Sequence, residues 1–148
     1  MIVLVVLFGS WLILRGIGAL GASALATWHD SVRYALAIMF AFTAVAHFNK
    51  MRRDLAQMIP SFFPQPMLMV YITGVGEFIG AAGLLIPRFR FLAGICLILL
   101  LIGMFTANLN AALKGLTLRG KPVTPLWLRT PMQILFIGLI WWATRPGF

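Results

Sequence analysis

Residues 67–86 read MLMVYITGVGEFIGAAGLLI, twenty residues carrying no basic side chain and one acid, Glu77, near the middle. Crossing the hydrocarbon of a bilayer takes about 20 apolar residues as α-helix, and this stretch has that length and composition. It does not alternate apolar and polar residues as the strand of a transmembrane barrel would, and closed backbone hydrogen bonding leaves a helix as the spanning form. Proline brackets it: the segment 61–66 breaks the preceding helix and Pro87 ends this one, because proline lacks a donor and restrains its predecessor.

Working outward, residues 34–48 form a shorter apolar run. It is expected to continue through 49–59 as an interfacial helical extension, with Leu55, Met58 and Ile59 on one face and Arg52, Arg53 and Gln57 on the other. A polar link at 27–33 holds His29 and Asp30 and separates this run from 2–26, which is interrupted by Arg15. The N-terminal run lacks a basic n-region and exceeds the length of a signal-peptide core, so it reads as a span. Beyond Pro87, Arg88 and Arg90 mark a tight connection to 91–113. The link 114–130 contains Gly115, Gly120, Pro122 and Pro125, and 116–118 with 122–123 predict a small hairpin. A last span is expected over 131–143, with Pro131 in its first turn, or starting as early as Leu126, and with Trp141 and Trp142 at an interface. The expectation is an all-α polytopic transmembrane helix bundle of five spans in one domain, 1–148, with successive helices as antiparallel neighbours.

Composition agrees. Hydrophobic residues make up 61% and charged residues 10%, against about 25% charged in soluble domains. The net charge of +9, from 12 Lys and Arg against 3 Asp and Glu, is spread singly between apolar runs, which suits lipid headgroups and not nucleic acid. Lys50, Arg52, Arg53, Lys114, Arg119, Lys121 and Arg129 fall on the side of Met1; Arg33, Arg88, Arg90 and Arg145 fall on the other. That bias predicts a cytoplasmic N-terminus. A lone cysteine, Cys96, excludes an intramolecular disulfide and reads as a small buried apolar side chain.

Function must reside in the few polar residues at membrane depth. A charged group at mid-bilayer is costly, so Glu77 is expected either neutral, as a donor, or paired. Arg15 lies at similar depth in the first span, and an Arg15–Glu77 intramembrane ion pair would answer both desolvation costs; it serves either as a site or as a pin between helices. His47, Thr43, Thr73, Asn108 and Gln133 all fall in the half of the bundle nearer Met1. Converging polar groups in an apolar bundle are the makings of a small-molecule site. The plainer alternatives stand beside this reading: each threonine bonding its own helix, Asn108 and Gln133 as interhelical glue, His47 as an interfacial residue. Asn110, two residues from Asn108, is expected to point away from it. Gly76 and Gly80 form a small-xxx-small pair that marks the third span as central. Two-histidine haem ligation is excluded because His29 and His47 belong to opposite faces, and a zinc site lacks ligands.

The stretches 42–48 (FTAVAHF), 58–60 (MIP), 73–77 (TGVGE), 83–87 (GLLIP), 108–110 (NLN) and 125–133 (PLWLRTPMQ), in that order, resemble the DoxX-like family of bacterial integral membrane proteins. The resemblance runs from about residue 33 to 142. It implies a four-helix core in the bacterial cytoplasmic membrane, with 2–26 as an additional N-terminal helix. Members of that family are linked to quinone-coupled sulfur oxidation, to maturation of a periplasmic amine dehydrogenase and to membrane complexes in oxidative stress. His47, Glu77, Asn108 and Gln133 match its pattern; that they form a site is inferred from depth and spacing.

The function expected is an accessory or redox-associated membrane subunit holding a lipophilic small molecule, such as a quinone, with another membrane or redox protein as partner or a second copy as oligomer. Two alternatives are carried: a membrane-embedded enzyme using Glu77 as acid or base, and a scaffold or chaperone for another membrane protein. A transporter would call for an inverted repeat, which the chain does not show.

Overall fold

The computed structural model describes residues 1–146. Six helices make up most of it: α1 (Ile2–Ala19), α2 (Trp28–Ala46), α3 (Arg52–Met58), α4 (Pro66–Leu85), α5 (Arg90–Leu113) and α6 (Leu126–Thr144). A 3-10 turn, Ser23–Leu25, joins α1 to α2, and a two-stranded antiparallel hairpin, β1 (Thr117–Leu118) and β2 (Lys121–Pro122), lies between α5 and α6. Arg119 and Gly120 turn the hairpin with φ of 53° and 73°, the left-handed pair that a tight two-residue loop requires.

Contacts close a ring: α2 packs on α4, α4 on α5, α5 on α6, and α6 back on α2, while α1 lies outside against α2. α3 and the hairpin close one end of the ring, where α2 and α5 finish and α4 and α6 begin. α1, α4, α5 and α6 are each long and apolar enough to cross a membrane. Their outward faces carry Leu12, Leu92, Leu99 and Ile134 in the open, an apolar surface that water would not tolerate on this scale and lipid does. The chain is an all-α membrane protein.

Local chemistry sets the helix limits. α1 ends at Ala19, well before residue 26, and Gly21 at φ 113° makes the turn. α2 starts at Trp28 and not at 34, because Thr27 caps it: its hydroxyl accepts from the Asp30 amide at 3.0 Å and donates to the Asp30 carboxylate at 2.6 Å. His29, Asp30 and Arg33, expected in a link, are therefore helical. α2 ends at Ala46, and α3 is a separate helix after a turn, not a continuation through 49–59. Pro66 opens α4, as its fixed φ and missing N–H favour. α6 begins at Leu126, the earlier of its two expected starts, which puts Pro131 inside it and not in its first turn.

The most enclosed helix is α2, not α4. Val32, Ala35, Leu36, Met39 and Phe40 are all but inaccessible, and α2 alone is flanked by α1, α4 and α6. The small residues of α4 are divided between neighbours: Gly74 meets the side chain of His47, Gly80 meets Leu97, and Gly83 meets Ala93. Cys96 faces outward from α5 and is exposed, so it is not core filling.

Candidate functional site

His47 caps the C-terminus of α2 and is 5% exposed; Glu77, in the middle of α4, is 3% exposed. The imidazole Nδ1 stands 3.2 Å from the Thr43 carbonyl and 3.4 Å from Glu77 Oε2. The first contact ties the ring back to its own helix and orients it; the second faces it with the acid. Thr43, one turn before His47, stands beside the Glu77 carboxyl, while its hydroxyl donates to the Phe40 carbonyl at 3.1 Å. Glu77 Oε2 is fully occluded and has no hydrogen-bond partner, and neither has the buried Gln133 Nε2. Polar atoms in that condition cost free energy in an interior without water.

A cavity of about 340 Å³ opens beside this pair at the α3 end of the ring. Its size is at the low end of small-molecule pockets. Its walls are mainly apolar, with Met58, Phe63, Leu100 and Met104 among them, and its polar side chains are His47, Thr73, Thr106, Asn108, Thr124 and Arg129. The Thr73 hydroxyl is already committed to the Met69 and Val70 carbonyls, both at 2.9 Å. Three of the six expected site residues thus line one cavity. Glu77 lies behind His47 and not in the wall, and Thr43 and Gln133 are likewise outside it.

The Arg15–Glu77 pair does not form. The Arg15 guanidinium lies 4.9 Å from the ring of Trp28, at the start of α2, whereas Glu77 sits by Thr43 and His47 at its end. Fifteen residues separate Trp28 from Thr43, roughly 22 Å of helical rise. The cation is met by an aromatic face, and the acid by an imidazole. Asn108 is not the only asparagine of this helix end in use: Asn108 lines the cavity, and Asn110 Nδ2 donates to the Met58 carbonyl at 2.8 Å, satisfying the last turn of α3.

Two arginines counted as link residues belong to helices instead. Arg33, 3% exposed, pairs with Asp30 at 2.8 Å and donates from Nε to the Ala143 carbonyl at 3.2 Å, holding the C-terminal end of α6 against the start of α2. Arg129 belongs to the first turn of α6 and lines the cavity. Pro125 was the signal for it. A proline favours the start of a helix, and taking residue 125 as that start puts Arg129 inside the bundle.

No curated protein and no solved structure matches the chain. The residues of the ring from within α2 to the end of α6, with α3 and the hairpin, fall in one matched segment, and α1 precedes it. That segment, residues 36–145, matches a domain of unknown function (DUF8561), and the chain belongs to that family.

Proposed function

We propose that the chain is a membrane-embedded binding subunit that holds a lipophilic small molecule with a polar head, a quinone being one such molecule, in the cavity at the α3 end of the ring. The single observation that carries this is a buried imidazole in the wall of a mainly apolar cavity, backed at 3.4 Å by an occluded carboxyl group. The imidazole can donate to or accept from a ligand head, and the acid behind it can take up or return a proton through the ring. Glu77 therefore acts through His47 and not on the ligand directly.

In this reading the ring α2–α4–α5–α6 is the four-helix core of a DoxX-like protein and α1 is its N-terminal addition. α2 is the fifth span. Its charged first turns are tolerable because Arg33 and Asp30 are paired and bonded inside the ring. The setting is the bacterial cytoplasmic membrane, with the α3 end and the N-terminus on the cytoplasmic side, and the subunit serves a redox partner. The experiment is extraction in mild detergent followed by mass spectrometry of co-purified lipophilic molecules, with decylubiquinone competition on the purified protein. Absence of any bound molecule and of competition would remove the proposal.

The proximity of imidazole and carboxyl also favours a second reading, a membrane enzyme with His47 as acid or base positioned by Glu77. It predicts turnover of a lipophilic substrate by the isolated chain, lost in Glu77→Gln.

A further inference from the structure

The cavity contains a cation, Arg129, that no acidic side chain among the described residues neutralises. The sequence has 3 acidic side chains, and each is placed elsewhere: Asp30 is held by Arg33 at the opposite end, Asp54 accepts from the Arg119 amide, and Glu77 faces His47. The side chain of Arg129, half-buried in the cavity wall, has no ion-pair or hydrogen-bond partner among the described residues. A guanidinium withdrawn from water without a counter-charge is costly, and its planar fork of donors matches the oxygens of a carboxylate or phosphate. Arg129 also stands in the first turn of α6, whose N-terminus no side chain caps, so the helix dipole favours negative charge at the same place. Asn108 and His47 supply further hydrogen-bonding capacity in the same wall, and apart from three threonines the remainder is mainly hydrocarbon-like.

The geometry points to an acidic amphiphile as the occupant: an oxygen-acid head, carboxylate or phosphate, on Arg129, and one hydrocarbon tail between α3, α4 and α5. This rests on the proposed cavity as a lipophilic binding site and narrows its head from neutral to anionic. The modest volume, about 340 Å³, suits one chain and not the paired tails of a whole phospholipid. The head can belong to a free acid or to a bilayer lipid that dips one tail into the cavity. Arg52, Arg53 and Lys121 at the same end would draw either toward the mouth.

The test uses the full chain in phosphatidylcholine nanodiscs, with tritiated palmitate as probe and hexadecanol and decylubiquinone as neutral competitors. Palmitate is expected to bind and to outcompete hexadecanol. Arg129→Gln is expected to weaken palmitate at least tenfold while leaving hexadecanol unchanged. Arg129→Lys retains the charge without the fork and is expected to fall between; it carries the test if the glutamine variant does not elute as a folded species. Competition from phosphatidylglycerol added to the discs identifies the head as a bilayer lipid's, and its failure to compete identifies a free acid. Equal binding of palmitate and hexadecanol, equal loss in the exposed control Arg53→Gln, or decylubiquinone binding alone overturns the acidic head and leaves the cavity standing. Failure of all three probes to bind overturns both.

Discussion

Gly74 leaves no room for a side chain against His47: a Cβ placed there would stand 2.5 Å from the His47 Cβ. The neighbour is the root of a side chain fixed at the end of α2, not the end of a flexible one, so it cannot move aside cheaply. Close approach of α4 to α2 at this point is what brings Glu77, one turn further on, to the imidazole. Gly74→Ala is therefore expected to lose about 1–3 kcal/mol by overpacking and to separate His47 from Glu77. Gly9→Ala is the control, since nothing lies within 4 Å of a Cβ there, and it should be neutral or gain up to about 1 kcal/mol in helix propensity. Thermal unfolding of both in the same detergent decides; equal melting temperatures would mean that the helices have slack at Gly74.

His47 and Glu77 are argued to act as one unit, and that is open to a double-mutant cycle on ligand binding. His47→Gln and Glu77→Gln should each weaken retention of the bound molecule, and the double variant should lose less than the sum of the two. Groups in contact couple by about 0.5–3 kcal/mol. Strict additivity would place the two residues in separate roles and remove Glu77 from the site.

Much of this arrangement could be read from the residues, and each failure has a physical cause. Apolar runs of sufficient length identify a membrane helix whatever its neighbours, so α4 and α5 came out within a residue of their ends. α2 was underestimated because its first turns are polar, and hydropathy cannot register that Arg33 is enclosed against the Ala143 carbonyl, far along the chain, with Asp30 as its local ion partner. The depth argument brought His47, Thr73 and Asn108 to one cavity, since alternating helices fix height in the bundle. Depth does not fix azimuth. That is why Glu77 was expected in a wall that it stands behind. Arg15 failed on depth itself: α1 ends at Ala19 and not at 26, so Arg15 lies near its far end, against Trp28 at the start of α2 and a bundle's height from Glu77.

Arg33 joins the start of α2 to the end of α6 through its bonds to Asp30 and the Ala143 carbonyl. Arg33→Met should strand both partners at the far end from the cavity, costing about 1–3 kcal/mol for the orphaned groups. Asp30→Asn should cost less, since its carboxylate is 29% exposed and water can replace part of what is lost. Ligand retention by the surviving folded fraction should be unchanged in both. A binding defect in Arg33→Met that exceeds its loss of folded protein would show that the two ends of the bundle are coupled.

Orientation can be read from two exposed link residues in a Cys96→Ser background. Lys121→Cys lies in the hairpin and Arg88→Cys in the α4–α5 connection, at opposite ends of α5. With the α3 end cytoplasmic, a membrane-impermeant maleimide applied to intact cells should label the cysteine at 88 and reach that at 121 only after lysis. The reverse pattern would invert the protein, and labelling of both from one side would mean that α5 does not cross.

Gly103 separates stability from binding most directly. It lies in the cavity wall, and a Cβ there would meet nothing within 4 Å. Gly103→Leu removes a flexible residue from the interior of α5, a gain of about 1 kcal/mol from helix propensity, and sets a bulky side chain at the cavity. The expected variant melts at a higher temperature and no longer holds the ligand. Gly138→Leu on α6 has the same open surroundings away from the cavity, so it should gain comparably and bind normally. If Gly103→Leu gains stability and keeps its ligand, the molecule sits elsewhere. A site kept open at the expense of stability is the ordinary condition of a binding protein, and an α5 better built with leucine at 103 would mean that the space beside His47 exists to be occupied.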